Sequence, residues 1–204
     1  MRLPTPAWDL IDLESYSTKL ESKWFAGTRL EAWSEQLRHR LPGANRSVRA
    51  RQATIYTTRS CPTDCPTCHG SFGSHGRERP VGEIVHEIRE LVQKHRIRNL
   101  HIGDAAFDGN PARAEAIVLA IAKLRSAPGF GYLSLTFPRG LRGDGLTPGL
   151  IDALISAGAT SLPLRVTTAS PRLQRLLKEN IDLARVDKAL EWIADRGARG
   201  HLLM

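Results

Sequence analysis

The chain has 204 residues, of which 41% are hydrophobic and 25% are charged, and its formal net charge is +8. This composition is ordinary for a globular chain of one domain, or of one domain with an extension, and the length allows a sizeable core. The longest apolar run, 114–121, contains Glu115 and is far too short to span a membrane. The first residues, MRLPTPAWDLIDLESY, lack the apolar core of a secretory signal, so we expect a cytoplasmic protein.

Residues 1–52 predict a helical extension followed by a basic linker. Thr28-x-x-Glu31 resembles a capping box at the start of an amphipathic stretch, and Pro42-Gly43 ends that stretch. The linker holds a run of arginines without an intervening acid: Arg38, Arg40, Arg46, Arg49 and Arg51. Such a run could contact phosphates, but no aromatic side chains interleave with it. A solvated linker is therefore favoured, and nucleic acid is disfavoured as a partner without being excluded.

Residues 53–204 predict an alternation of strands and helices. Strands are expected at 53–58, 99–103, 132–137, 160–166 and 201–204. Helices are expected at 81–95, 110–125, 147–158 and 171–178, with a last one marked by Leu183, Val186, Leu190 and Ile193. This order predicts an α/β fold of parallel strands, either a barrel or an open sheet, whose sites gather at the C-terminal ends of the strands. Because the last strand would leave an unpaired edge, we expect a fragment or a chain that a partner completes.

All three cysteines lie in one short window, SCPTDCPTCH at residues 60–69, just after the first predicted strand. Three clustered thiols do not form a secreted disulfide framework and instead indicate a metal or redox site in a reducing compartment. Zinc would need a fourth ligand, for which His75 is better placed than His69, and the result would be a binding module without catalysis. Three thiolates also suit a four-iron cluster with one iron left open.

The spacing Cys61-x-x-x-Cys65-x-x-Cys68 after a first strand resembles the signature of the radical S-adenosylmethionine (SAM) superfamily. The resemblance implies a partial (β/α) barrel in which these three cysteines hold a [4Fe–4S] cluster. It implies that the open iron binds the amino and carboxylate groups of SAM. It also implies a reducing electron donor, reductive cleavage of SAM to a 5′-deoxyadenosyl radical, and hydrogen abstraction from a substrate that the sequence does not identify.

The likeness extends to the cobalamin-associated branch of that superfamily. The segments RERPVGEIVHEIRELVQKHRIRNLHIGDAAFDGNPARAEAI and AGATSLPLRVTTASPRLQRLLKENIDLARVDKALEWIADRG are similar to that branch in layout. The opening LPTPAWDLIDLESY resembles the linker after a cobalamin-binding domain. We therefore expect residues 53–204 to be a core without its last barrel strands, and any cobalamin to belong to an absent upstream domain.

The resemblance also implies cofactor contacts, and the chain departs from the family pattern at three places. Gly103 and Asp104 would lie near the SAM amino group, and the backbone at Gly70 would approach the adenine. Thr67 replaces the usual aromatic residue, 103–105 holds one acid instead of a pair, and 165–168 reads Arg-Val-Thr-Thr where relatives commonly have Gly-x-Glu-Ser. No catalytic residue is assigned.

Four functions are consistent with these patterns. The first is a radical SAM enzyme, with cobalamin-dependent methylation or an oxidative ring rearrangement as the family's suggestion if an upstream domain exists. A methylthiotransferase acting on RNA or a ribosomal protein is the alternative enzyme. The zinc module and an inactive, truncated remnant are the alternatives without catalysis.

Overall fold

The computed structural model describes residues 6–11, 13, 51–59, 61, 66 and 77–204. Its strands are β1 (Arg51–Ile55), β2 (Thr58–Arg59), β3 (Arg77–Glu78), β4 (Ile97–Ile102), β5 (Ser134–Thr136), β6 (Ser161–Arg165) and β7 (Arg199–Leu203). Its α-helices are α1 (Val81–His95), α2 (Pro111–Arg125), α3 (Pro148–Ser156), α4 (Pro171–Leu177) and α5 (Leu183–Asp195). Within these residues, no helix combines the length and apolar character needed to cross a membrane.

Local sequence chemistry explains where most of the helices begin. The helices α2 to α5 each follow a residue whose side-chain oxygen accepts the backbone N–H three positions later: Asn110, Thr147, Ser170 and Asp182. Proline opens the first turn of α2, α3 and α4, where its missing N–H costs nothing. The helix α1 buries Ile84, Ile88 and Leu91, the face that its periodicity predicts.

The strands pair in parallel around β4. β1 pairs with one side of β4 and β5 with the other, in a register that places Ala53 beside Leu100 and Leu100 beside Leu135. β6 and β7 form a second parallel pair, and β2 and β3 form a short antiparallel pair that the sequence did not predict. The predicted α/β fold of parallel strands joined by helices is confirmed.

The chain after β5 joins the two parallel groups. Leu135 N–H donates to the Gly158 carbonyl at 3.1 Å. Farther along, Leu141 N–H donates to the Pro163 carbonyl at 2.8 Å and its own carbonyl accepts from Arg165 N–H at 2.7 Å. The backbone of Leu141 therefore provides the hydrogen bonds to β6 that a longer β5 would otherwise provide. The loop that follows Leu141 lies at the C-terminal end of β6.

Several predicted boundaries shift in the structure. β1 begins at Arg51, which the sequence placed in the basic linker, and it ends at Ile55 because Thr57 turns to bind another strand end. β5 is limited to Ser134–Thr136 of the predicted 132–137. β7 begins at Arg199 and pairs along its whole length with β6. The predicted helix from Thr28 and the rest of the linker lie outside the described residues.

A short N-terminal segment packs against the core. The indole Nε1 of Trp8 donates to Glu87 Oε1 on α1 at 2.9 Å, and Leu13 is buried in the main hydrophobic cluster. Glu87 is itself buried and accepts from Arg79 at 2.6 Å through its other oxygen. Trp8 and Leu13, which lie in the predicted 1–52 extension, thus pack against residues of the α/β fold.

Gly158 provides a test of the contact between the α3–β6 turn and β5. Its φ is +102°, and a Cβ there would lie 2.5 Å from the Leu133 carbonyl oxygen. Gly158→Ala should lower the free energy of unfolding by more than about 2 kcal/mol, because a left-handed conformation alone costs ~1–2 kcal/mol for a residue with a side chain. Urea unfolding followed by circular dichroism measures the change.

The matched control is Gly82→Ala in α1, where a Cβ meets nothing within 4 Å. That variant should be neutral or more stable by up to about 1 kcal/mol. Equal effects of the two substitutions would contradict the close approach of Gly158 to β5.

Candidate functional site

Asp104 ties the C-terminal end of β4 to that of β1. It follows Gly103 directly after β4, and only 2% of its surface is exposed. Its Oδ1 accepts from the backbone N–H groups of Thr57 at 2.6 Å and Thr58 at 3.2 Å, and its Oδ2 accepts from the Thr57 hydroxyl. A buried carboxylate is thereby paired with three donors, which is how a folded protein accommodates such a group.

Arg113, from α2, holds Thr57 from the other side. Its guanidinium donates to the Thr57 carbonyl at 2.7 Å, to the Thr57 hydroxyl oxygen at 3.2 Å and to the Arg79 carbonyl at 3.0 Å. Every polar atom of Thr57 is therefore bound. We refer to Asp104, Thr57 and Arg113 as the strand-end clamp; it fixes the backbone four residues before Cys61.

Opposing effects act on the pKa of Asp104. Burial raises this pKa, while the hydrogen bonds from Thr57 and Thr58 and the positive charge of Arg113 lower it, and the net direction is upward. Burial in the clamp thus disfavours the ionised form of this carboxyl group, whereas its hydrogen-bond donors favour that form.

Gly103 lies where the backbone of β4 comes close to β1. Its N–H donates to the Ile55 carbonyl at 2.9 Å. A Cβ at this position would lie 2.8 Å from Thr54 Cγ2 and from Tyr56 Cε1, both closer than real Cβ contacts. The backbone of β4 thus passes close to the side chains of β1 here, and a larger residue at this position would require the exposed Thr54 and Tyr56 side chains to move.

Of the predicted metal ligands, the structure describes Cys61 alone. Cys61 is half-buried with a free thiol, two residues after β2. Cys65, Cys68 and Gly70 lie outside the described residues, as does His75, so their positions relative to Cys61 are not compared. Elsewhere in the described part of the chain, no group of three His, Cys, Asp or Glu side chains is arranged to hold a metal ion. A free thiol just past the clamped strand end suits a thiolate-bound metal or cluster.

A cleft of about 300 Å³ opens on the other side of the β4 loop. Its walls come from the loops after β4 and β5, the end of β6 and the start of α5. The lining residues are Ala106, Asp108, Gly109, Pro111, Arg142, Asp144, Gly145, Arg165 and Arg185. This is the C-terminal end of the parallel strands, where sites of such folds lie.

Charged groups in the cleft are held in a defined network. The buried Asp108 accepts from Arg142 N–H at 2.6 Å, and burial raises its pKa. The Arg142 guanidinium binds Asp144 through two bonds of 2.8 and 3.1 Å and donates to the Asn180 carbonyl at 2.9 Å. Arg165 donates to the Ala105 carbonyl at 2.7 Å, which links β6 to the β4 loop.

An acid also lies beside Thr167, which follows the end of β6. The Thr167 hydroxyl donates to Glu179 Oε1 at 2.6 Å, and Glu179 Oε2 is buried without a hydrogen-bond partner among the described residues. The sequence pattern after β6 did not reveal this carboxylate, because Glu179 lies twelve residues away on the chain.

Sequence reasoning also missed Asp108, Arg142 and Arg185, and noted Arg165 only as a departure from a motif. The available signal was positional: polar residues follow the ends of β4 and β5 in FDGN and RGLRGDG. Only the fold shows that these loops meet.

Comparison with known proteins places the chain among proteins of one superfamily. The sequence profile of the Radical SAM superfamily matches residues 55–204. No curated protein matches the chain at a significant level.

Solved structures with a similar fold include two SAM radical enzymes, TsrM and OxsB, and a methylornithine synthase. TsrM from Kitasatospora setae, a radical SAM methyltransferase solved with cobalamin and a [4Fe–4S] cluster, has a TM-score of 0.66 at 19% identity over 76% of this chain and 31% of its own. OxsB, a cobalamin-dependent SAM radical enzyme, has a TM-score of 0.56 at 16% identity over 73% of this chain and 23% of its own. Methylornithine synthase, PylB, has a TM-score of 0.51 at 16% identity over 93% of this chain and 56% of its own. The chain thus shares their fold and spans about a third of the length of TsrM.

The strand-end clamp predicts that Thr57→Val is destabilising although it preserves the side-chain shape. The variant removes a donor to Asp104 and an acceptor for Arg113, and should lower the free energy of unfolding by about 1–3 kcal/mol, the cost of leaving buried polar groups unpaired. Thr54→Val, on the exposed face of β1, is the matched control and should change stability by less than about 0.5 kcal/mol. Indistinguishable urea midpoints for the two variants would argue against the clamp.

Asp108 predicts a pH dependence of stability. Because burial raises its folded pKa above the ordinary value near 4, the folded state keeps this proton to higher pH than the unfolded chain does. Its contribution to stability is therefore full below about pH 4 and is lost as pH rises through the folded pKa.

Asp108→Asn should remove the decrease in stability that ionisation of Asp108 causes as pH rises, while keeping an acceptor for Arg142 N–H. The stability of the variant relative to the native chain should therefore increase as pH is raised from about 4 toward 7. Urea unfolding at several pH values measures this, and Asp104, present in both proteins, cancels in the comparison. A difference that stays constant with pH would mean that Asp108 is not the group responsible.

Proposed function

The chain belongs to the radical SAM superfamily, and we propose that it is the core of a radical SAM enzyme in which Cys61, Cys65 and Cys68 hold a [4Fe–4S] cluster. The observation that carries the proposal is the placement of a Cys-x-x-x-Cys-x-x-Cys window directly after a clamped first strand of a parallel α/β core. Thiolates are the ligands that such clusters take, and three of them leave one iron open.

The clamp supports this function by setting where the cysteine window begins. Asp104 and Arg113 bind all the polar atoms of Thr57, so the chain enters the window from a fixed point. Because both oxygens of Asp104 are engaged and the residue is buried, we assign it a positioning role that acts through Thr57. The backbones at Gly103 and Gly70 remain the predicted points of approach to SAM.

When bound, the cluster supplies the single electron that cleaves SAM. The protein's own part is to bind and orient the reactants, as is usual for enzymes that depend on a cofactor. An external reductant is the partner that the proposal requires, and the cytoplasm is the proposed setting because its reducing conditions keep thiols free.

Cobalamin is proposed as a further cofactor of the complete enzyme, bound by a domain upstream of this core. Support comes from TsrM and OxsB, which share the fold and whose structures hold cobalamin.

Anaerobic reconstitution with iron and sulfide, followed by electron paramagnetic resonance of the dithionite-reduced protein, tests the proposal. The native chain should bind about four irons and give a [4Fe–4S]⁺ signal that changes when SAM is added. Cys61→Ala, Cys65→Ala and Cys68→Ala should each reduce bound iron and the signal to background. His75→Ala is the matched control and should keep both.

Two outcomes would contradict the proposal. A colourless protein with one tightly held zinc, released by His75→Ala, would indicate the zinc-stabilised binding module instead. A cluster signal that SAM leaves unchanged would mean that this chain holds the cluster but does not bind SAM, as expected of an inactive remnant.

A further inference from the structure

The cleft beyond β4 is separate from the strand-end clamp. Asp104 faces β1, whereas Asp108, four residues later, lies against the loop after β5. Among the described residues, the cleft takes its lining from segments after β4, β5 and β6 and from α5, and takes none from β1 or β2. It is therefore a second feature at the same end of the sheet.

Three of the five charged residues that line the cleft, Asp108, Arg142 and Asp144, are bound within the protein. Arg142 and Asp144 form a two-bond ion pair, and Arg142 also donates to the Asn180 carbonyl. The Asp108 carboxylate accepts from backbone N–H groups of the loop after β5. These contacts shape the wall and leave Arg165 and Arg185 as the remaining cations.

Arg165 and Arg185 keep donors that the protein does not use. Arg165 is half-buried and donates through Nη1 to the Ala105 carbonyl, and no other bond of its guanidinium to a described residue is seen. Arg185 is exposed, and its guanidinium makes no hydrogen bond or ion pair with any residue of the described part of the chain. It also lies in the first turn of α5, where the helix dipole disfavours a positive charge.

The charge of the cleft matches a group with one negative charge. The Arg142–Asp144 pair is neutral. Counting Asp108 as an anion, the form that its backbone N–H donors and the nearby charge of Arg165 favour against burial, the two remaining arginines leave one positive charge in excess. A carboxylate carries one negative charge, whereas a phosphate monoester carries about −1.5 to −2 near neutral pH. The planar guanidinium fork also fits the two oxygens of a carboxylate.

We propose that this cleft binds a carboxylate group of the enzyme's substrate through Arg165 and Arg185. The inference rests on the proposed function, since it assumes that a substrate is bound at this end of the sheet. A volume of about 300 Å³ is at the small end of ligand sites, which indicates a small organic acid. SAM also carries a carboxylate, so the test must distinguish binding of a substrate carboxylate from binding of the SAM carboxylate.

The first experiment needs no cluster and uses the full chain labelled with ¹⁵N-arginine. Benzoate is the probe, because it joins a carboxylate to a small apolar ring, and benzamide is its uncharged counterpart of the same shape. Benzoate should shift the Nε–Hε resonances of Arg165 and Arg185 along a saturable curve, and benzamide should not.

Variants assign the effect to the two residues. Arg165→Gln and Arg185→Gln should each weaken benzoate binding about tenfold, the loss expected when one charge-assisted hydrogen bond is removed. Arg172→Gln, an exposed arginine in the first turn of the neighbouring α4, is the matched control and should bind as the native chain does. Thermal unfolding of each variant shows whether the fold is intact.

Three results would overturn the inference. Equal shifts with benzamide would show that no carboxylate is recognised, and tighter binding of inorganic phosphate would indicate a phosphate site. Loss of the SAM-dependent change in the cluster signal in Arg165→Gln and Arg185→Gln would assign the cleft to SAM's own carboxylate. Failure of the cluster to assemble would contradict the proposed function and leave the benzoate titration interpretable by itself.

Discussion

The hydrogen bonds between the Asp104 carboxylate and Thr57 determine the geometry of the site end of this sheet. β1 and β4 pair in register through Ile55 and Ile102, and the last backbone hydrogen bond between them runs from Gly103 N–H to the Ile55 carbonyl. The carboxylate continues the connection by accepting two backbone N–H groups and a hydroxyl from the residues that follow β1. The chain is thereby held just before β2 and the cysteine window, and Arg113 adds a third element, α2, to the same point.

Two buried acids after β4, Asp104 and Asp108, make contacts on opposite sides of the same loop. Asp104 turns toward β1 and the cysteine window, and Asp108 turns toward the loop after β5 and the cleft. Burial raises the pKa of both, and backbone N–H groups offset part of the unfavourable desolvation of each anion. A single loop of a few residues therefore couples the proposed cofactor side to the proposed substrate side.

The interrupted pairing between β5 and β6 creates the wall of the cleft. β5 is short, and the chain reaches β6 again only at Leu141, after a turn at Gly140 with a φ of +70°. A Cβ at Gly140 would lie 3.2 Å from the Arg165 backbone nitrogen, so the loop passes close to the end of β6. Arg142 comes next in the chain; its guanidinium donates to Asp144 and its backbone N–H donates to Asp108. A regular ladder would have carried this loop past the cleft.

The sequence by itself determined the alternation of parallel strands and helices, the starts of α2 to α4 and the superfamily indicated by the three cysteines. These features depend on contacts within a few residues, such as Asn110 capping α2 and the periodic face of α1, or on a short spacing of one residue type. Only the tertiary structure decided that Asp104 serves Thr57, that β2 pairs with β3, and that Arg165 and Arg185 face one cleft. The Asp104–Thr57 contact joins residues 47 positions apart, and a pattern along the chain carries no information on which strand ends meet in space.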